Sequence, residues 1–194
     1  MFERGATLVE TAVATGIVVA VVGISVPLVI AGRHEQRVVD AARFLSGRFM
    51  LARAVAARRG ASVGLRFEAD ARGVRFRTYV DGNGNGVRTS DINGGVDLPI
   101  GEETRLGDRF NGVRFELGAA TPAIGAAAPT GSGADPIRFG ASDILAVTPL
   151  GTATSGTLYL RSREGHQAAV RILGATARAR ILLYDFHAGE WRTR

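Results

Sequence analysis

The chain has 194 residues and a formal charge of +6, with no cysteine and no lysine, so every Lys/Arg-type cation is an arginine. The missing cysteines exclude a disulfide framework, a thiolate metal site and a cysteine nucleophile. With the apolar N-terminal run set aside, about 160 residues remain, enough for one domain with a real core.

The first element is that run. Thr11 to Gly32 (TAVATGIVVAVVGISVPLVIAG) is uncharged over 22 residues. As a helix it would be about 33 Å long, enough to cross a bilayer core of about 30 Å. Gly16, Gly23 and Pro27 interrupt it, and such residues are better tolerated in membrane helices than in soluble ones. Pro27 removes a backbone donor and loosens the helix there. From Ala6 to Gly32 the one charged residue is Glu10. An unpaired carboxylate in hydrocarbon costs roughly 2.5 to 3.5 kcal/mol at a helix centre, so Glu10 calls for a partner or for the headgroup layer. A cleaved secretory signal fits poorly, because the run is too long and no A-x-A site follows it. A plain membrane anchor explains the length but not the glutamate.

The apolar pattern continues past Gly32. Val38, Ala42, Leu45, Phe49, Ala52 and Ala56 form one stripe of an amphipathic helix. Arg58 and Arg59 suit the last turn, and Gly60 suits the cap. One helix is therefore expected, membrane-spanning over 6–32 and amphipathic over 33–60. The period then changes to two. Val63, Leu65 and Phe67, then Val74, Phe76, Thr78 and Val80, predict a hairpin about Asp70–Gly73. Val113–Leu117, Thr157–Leu160, Gln167–Leu173, Ala179–Tyr184 and a short stretch at Trp191 read as further strands. Residues 118–136 are rich in Ala, Gly and Pro and predict a flexible loop. The expected fold class is α+β: a long N-terminal helix, membrane-spanning in its first half, packed on an antiparallel β-sheet head at 61–194.

Charge divides along the chain: +5 over 33–60, −4 over 81–143 and +4 over 161–194. Arg161, Arg163, Arg171, Arg178 and Arg180 are candidate nucleic-acid contacts, since arginine forks suit phosphates. No aromatic interleaving in the sequence accompanies them. In DGNGNGVRTSDI, Asp81, Asn83 and Asn85 take positions 1, 3 and 5 of an EF-hand-like loop, and Gly86 takes position 6. Position 12 is Ile92 rather than a bidentate Glu, and Asp91 stands one residue early, so the calcium reading competes with a plain Asn/Gly turn. His34, His166 and His187 are isolated, and the nucleophile-elbow, Walker and zincin motifs are missing. No enzyme and no small-molecule substrate are expected.

The segment Gly5-Ala6-Thr7-Leu8-Val9-Glu10 resembles the prepilin signature of type IV pilins and type II secretion pseudopilins, a short leader ending in Gly followed by a G-F-T-L-x-E core. Ala6 stands where that family usually has Phe. The resemblance implies a leader over 1–5, cleavage between Gly5 and Ala6 by a prepilin peptidase, and a free or methylated amine on Ala6. It also implies an assembly role for Glu10, paired with the N-terminal amine of a neighbouring subunit, and for Pro27. A buried carboxylate and ammonium offset each other's desolvation only when paired, and the amine of the same helix, four residues away, is a second partner for Glu10. The Val80–Arg88 stretch, Ile137–Phe139, the 148–160 segment and Ala177–Arg180 resemble the GspH/FimT-type minor pseudopilin domain. That family implies a minor subunit at the tip or in initiation of a filament, with other pilins as partners. It also implies a single-pass inner-membrane precursor with a cytoplasmic N-terminus and a periplasmic head. A DNA-binding minor pilin and a plain membrane-anchored periplasmic domain are the alternatives.

Overall fold

The computed structural model describes residues 7–126 and 133–194, and over 24–34 the backbone alone. Helix α1 runs Leu8–Arg59. It starts at Thr7, whose extended backbone leaves its hydroxyl free to accept from the Glu10 N–H at 3.2 Å. Thr-x-x-Glu is a capping-box spacing, with the acid in the turn where the helix dipole favours it. The helix stops at Gly60, which takes the left-handed conformation (φ 64°) and donates to Ala56 O at 2.9 Å. A side chain there would meet its own backbone.

Among the described residues, ten strands and two short helices follow: β1 (Val63–Asp70), β2 (Gly73–Val80), α2 (Thr89–Asn93), β3 (Leu98–Arg105), α3 (Leu106–Arg109), β4 (Arg114–Phe115), β5 (Ile137–Arg138), β6 (Ile144–Val147), β7 (Gly156–Arg161), β8 (Gln167–Leu173), β9 (Arg178–Asp185) and β10 (Glu190–Thr193). They form two antiparallel sheets. One has the order β3-β2-β1-β6; the other has the order β10-β9-β8-β7-β4, with β5 also paired to β7. The β1–β2 hairpin turns where the alternation predicts, in register from Val63 opposite Val80 to Asp70 opposite Gly73.

Both sheets bury one face against α1. Val38, Ala42, Leu45, Phe49, Ala52 and Ala56 are buried on the helix, as the stripe predicts, with Ala41 beside them. They meet Leu65, Phe67 and Phe76 of the first sheet and Leu158, Leu160, Ala168, Val170 and Ile172 of the second. Phe67 centres an aromatic group with Phe76, Phe115 and Phe139 at 5.5 to 6.2 Å between rings. A smaller core lies on the far side of the second sheet, where Leu117, Ala123, Tyr159 and Ala169 are buried together. It departs from the flexible loop expected over 118–136. In the described part of that segment Thr121 and Ala123 are buried, Ile124 N–H donates to the Tyr159 hydroxyl at 2.8 Å, and the Trp191 indole donates to Pro122 O at 2.8 Å.

The N-terminal expectation requires correction. Among the described residues, no helix is long and apolar enough to cross a membrane. The described apolar stretch, Leu8–Gly23, covers roughly 24 Å, short of a bilayer core of about 30 Å. The sequence count reached that thickness only by including 24–32, and the side chains there, Pro27 among them, lie outside the described residues. The membrane-spanning first half of the helix, the transmembrane description and the single-pass inner-membrane placement with a periplasmic head are therefore set aside. The α+β content with antiparallel sheets stands.

Candidate functional site

Two surfaces carry unusual chemistry. The first is the start of α1. Every described residue from Leu8 to Gly23 is exposed. The large apolar side chains Leu8, Val9, Val13, Ile17, Val18, Val19, Val21 and Val22 are all more than half exposed. Glu10 is the one charged residue of the stretch. Its backbone N–H is held by Thr7. Gly5 and Ala6, the expected processing site, lie outside the described residues.

The second surface is the outer face of the six-stranded sheet. Along β8, Ala168, Val170 and Ile172 turn toward α1, so Gln167, Ala169 and Arg171 turn away from it. Strand register then places Arg138 opposite Thr157, Thr157 opposite Arg171, and Arg171 opposite Arg180. With neighbouring strands about 4.8 Å apart, this row crosses roughly 14 Å of sheet. Arg178, two residues from Arg180, faces the same way. Arg138, Arg171, Arg178 and Arg180 are exposed. Arg138 donates to Asp135 O at 3.3 Å and stands 5.8 Å from the Tyr159 ring centre. The side chains of Arg171, Arg178 and Arg180 take part in no ion pair or hydrogen bond with the described residues. Like charges directly opposed across a sheet repel, so this pairing is a cost the fold carries.

The five arginines singled out in the sequence therefore separate. Arg171, Arg178 and Arg180 come together. Arg161 instead faces Glu116, which also binds Arg114; the Arg114 hydrogen bond, then that of Arg161, hold the Glu116 carboxyl below its usual range. Arg163 sits on the exposed turn between β7 and β8. Arg138 was missed, because only the long-range β5–β7 pairing brings it into the row. Its local signal was the alternation Ile137-Arg138-Phe139, with Ile137 and Phe139 buried on either side. Aromatic rings also lie on this face, and one of them, Tyr159, is the ring beside Arg138. Trp191 stands 5.7 Å from Tyr159 and 5.3 Å from Tyr184 between ring centres.

The loop 81–97 is built around two buried carboxylates. Asp81 accepts from the N–H groups of Asn83, Gly84 and Gly86, and Asp97 from those of Gly82 and Arg88, at 2.8 to 3.2 Å. Gly82 is required there, since a Cβ would come within 2.0 Å of Val96 O. Asn83 and Asn85 turn their amides to Asp91 at 3.3 and 2.9 Å. Hydrogen bonds from Asn85, then Ser90, hold the Asp91 carboxyl below its usual range. The four candidate calcium ligands are thus close in space, but Asp81 spends its oxygens on backbone amides. Among the described residues no group of three His, Cys, Asp or Glu is placed to hold a metal ion. The donor set suits an Asx-type turn better than a calcium cage.

A groove of about 690 Å³ lies between Glu35 of α1 and the β9–β10 end of the sheet, beside the Arg194–Glu35 ion pair. Buried Gln167 lines it, and its side-chain amide finds no hydrogen-bond partner among the described residues. No family model, no curated protein and no solved structure matches this chain.

Proposed function

We propose that the chain is a filament subunit of the pilin-like kind, assembled through the N-terminal part of α1 after trimming between Gly5 and Ala6. The observation that carries this reading is the apolar, exposed first part of α1, Leu8–Gly23, with its lone Glu10. Nothing in the described chain covers that surface. Covering its eight large apolar side chains with neighbouring helices would be worth on the order of 10 kcal/mol per subunit. In such a bundle Glu10 needs a cation, and the amine exposed by trimming in an adjacent subunit supplies one. Glu10 then fixes register, because an unpaired carboxylate penalises every other stagger.

Mass spectrometry of the native N-terminus tests the trimming: a chain starting at Ala6 is expected, and an intact Met1 in assembled material would refute it. Co-sedimentation with filaments tests the pairing. Glu10→Ala should leave the head folded and the filament fraction empty.

A further inference from the structure

We propose that the arginine row Arg138, Arg171, Arg180, with Arg178, docks the acidic 81–98 loop of a second copy of this chain, joining heads in a line. This contact extends the filament reading from the helix to the heads and stands on different residues.

Charge is the first ground. Arg171, Arg178 and Arg180 have no acid partner among the described residues. Residues 81–97 hold Asp81, Asp91 and Asp97 against Arg88 alone. The two buried acids of that loop are held by backbone N–H groups, and among the described residues neither forms an ion pair. Each surface therefore carries what the other needs, and the Arg171–Arg180 repulsion is relieved when an anion sits between them.

Apolar exposure is the second ground. Val96 and Leu98 are exposed beside the acidic loop. Leu150, 94% exposed, stands at the basic end. Its turn is tied to the turn before β9 through Ala153 N–H to Gly174 O at 2.8 Å. Made once per pair of copies, with each loop on the next copy's row, the contact is heterologous, and repeated without ring closure it generates an open line. Duplex DNA is the other polyanion the row could meet. The acidic loop, complementary in charge to the row, favours a protein occupant, and among the described residues Arg138 alone of the row stands against an aromatic ring, that of Tyr159.

The test uses the full chain in mild detergent. The chain has no cysteine, so Leu98→Cys and Thr176→Cys each provide one thiol, the first beside the acidic loop and the second just before Arg178. Mixed under mild oxidation at low salt, the two variants should give a disulfide-linked heterodimer. Adding Arg171→Glu and Arg180→Glu to the Thr176→Cys chain should cut its yield at least tenfold. Adding Ser90→Arg to the Leu98→Cys partner should then restore it. Thermal melts confirm that each variant is folded, and Arg171→Gln with Arg180→Gln is the milder form if reversal unfolds the head. Co-sedimentation of the same mixtures reads helix-driven assembly separately. Chains that co-sediment without the mixed cross-link overturn the head contact and leave the helix reading intact. A cross-link unchanged by charge reversal overturns it too. So does a row that binds random-sequence duplex DNA at low salt and yields no cross-link.

Discussion

The indole N–H of Trp191 donates to the carbonyl oxygen of Pro122 at 2.8 Å, fastening the last strand to a segment 69 residues earlier. This bond closes the outer core of the six-stranded sheet. Trp191→Phe keeps an aromatic ring but leaves the Pro122 carbonyl without its donor. A loss of about 1 to 2 kcal/mol is expected, seen as a melting temperature lower by roughly 2 to 8 °C. An unchanged melt would mean that the carbonyl finds water at no cost.

Gly156 determines whether Arg138 reaches the row. A Cβ at Gly156 would stand 2.1 Å from Arg138 O and 2.3 Å from the Phe139 ring. Gly156→Ala should part β5 from β7, costing about 2 to 3 kcal/mol. Hydrogen exchange at the Tyr159 N–H, which donates to Pro136 O at 2.8 Å, should speed up first, while the β8–β9 pairing keeps its protection.

Asp143 has φ 50°, and burial, then repulsion from Asp135, raise its carboxyl above the usual range. A carboxyl raised in the fold contributes fully below its unfolded value, near 3.9, and that contribution is lost as pH rises through the folded value. Asn removes the charge and tolerates the left-handed conformation. Asp143→Asn should therefore raise the melting temperature at pH 7 by roughly a degree or two. The gain should vanish near pH 3.

Asp70 behaves in the opposite sense. It pairs with Arg105 through both oxygens, and that hydrogen bond, with the Arg72 backbone N–H second, holds its carboxyl well below the ordinary range. Its contribution is present above the unfolded value, near 3.9, and is lost as pH falls toward the folded one. Arg105→Gln should move the midpoint of acid unfolding to higher pH, followed by circular dichroism. An unmoved midpoint would show the pair to be worth nothing in solution, as many exposed pairs are.

Glu10→Gln isolates charge from shape at the helix start. The Thr7 hydroxyl still accepts from the residue-10 N–H, so the cap survives. Assembly should nevertheless fail as completely as with Glu10→Ala. Wild-type levels of filament in the Gln variant would locate the role of Glu10 in capping instead.

What could be read in advance followed the local physics. The β1–β2 hairpin showed because alternation on both sides of Asp70–Gly73 leaves one face for Phe67 and Phe76. The buried stripe Val38 to Ala56 showed because its spacing is helical. The arginine row did not, since Arg138 and Arg180 are 42 positions apart and meet through three strand pairings. The packing of Thr121 and Ala123 was hidden by small residues of low complexity, whose anchors, Tyr159 and Trp191, lie far along the chain.

The core that joins α1 to both sheets has a consequence for synthesis. The helix is made first, yet β8 and β9 supply much of its covering and leave the ribosome more than a hundred residues later. At about 5 to 20 residues per second, the stripe of Val38, Leu45 and Phe49 waits roughly 5 to 20 s for its partners. Throughout that delay the nascent chain offers an oily rod to any chaperone within reach.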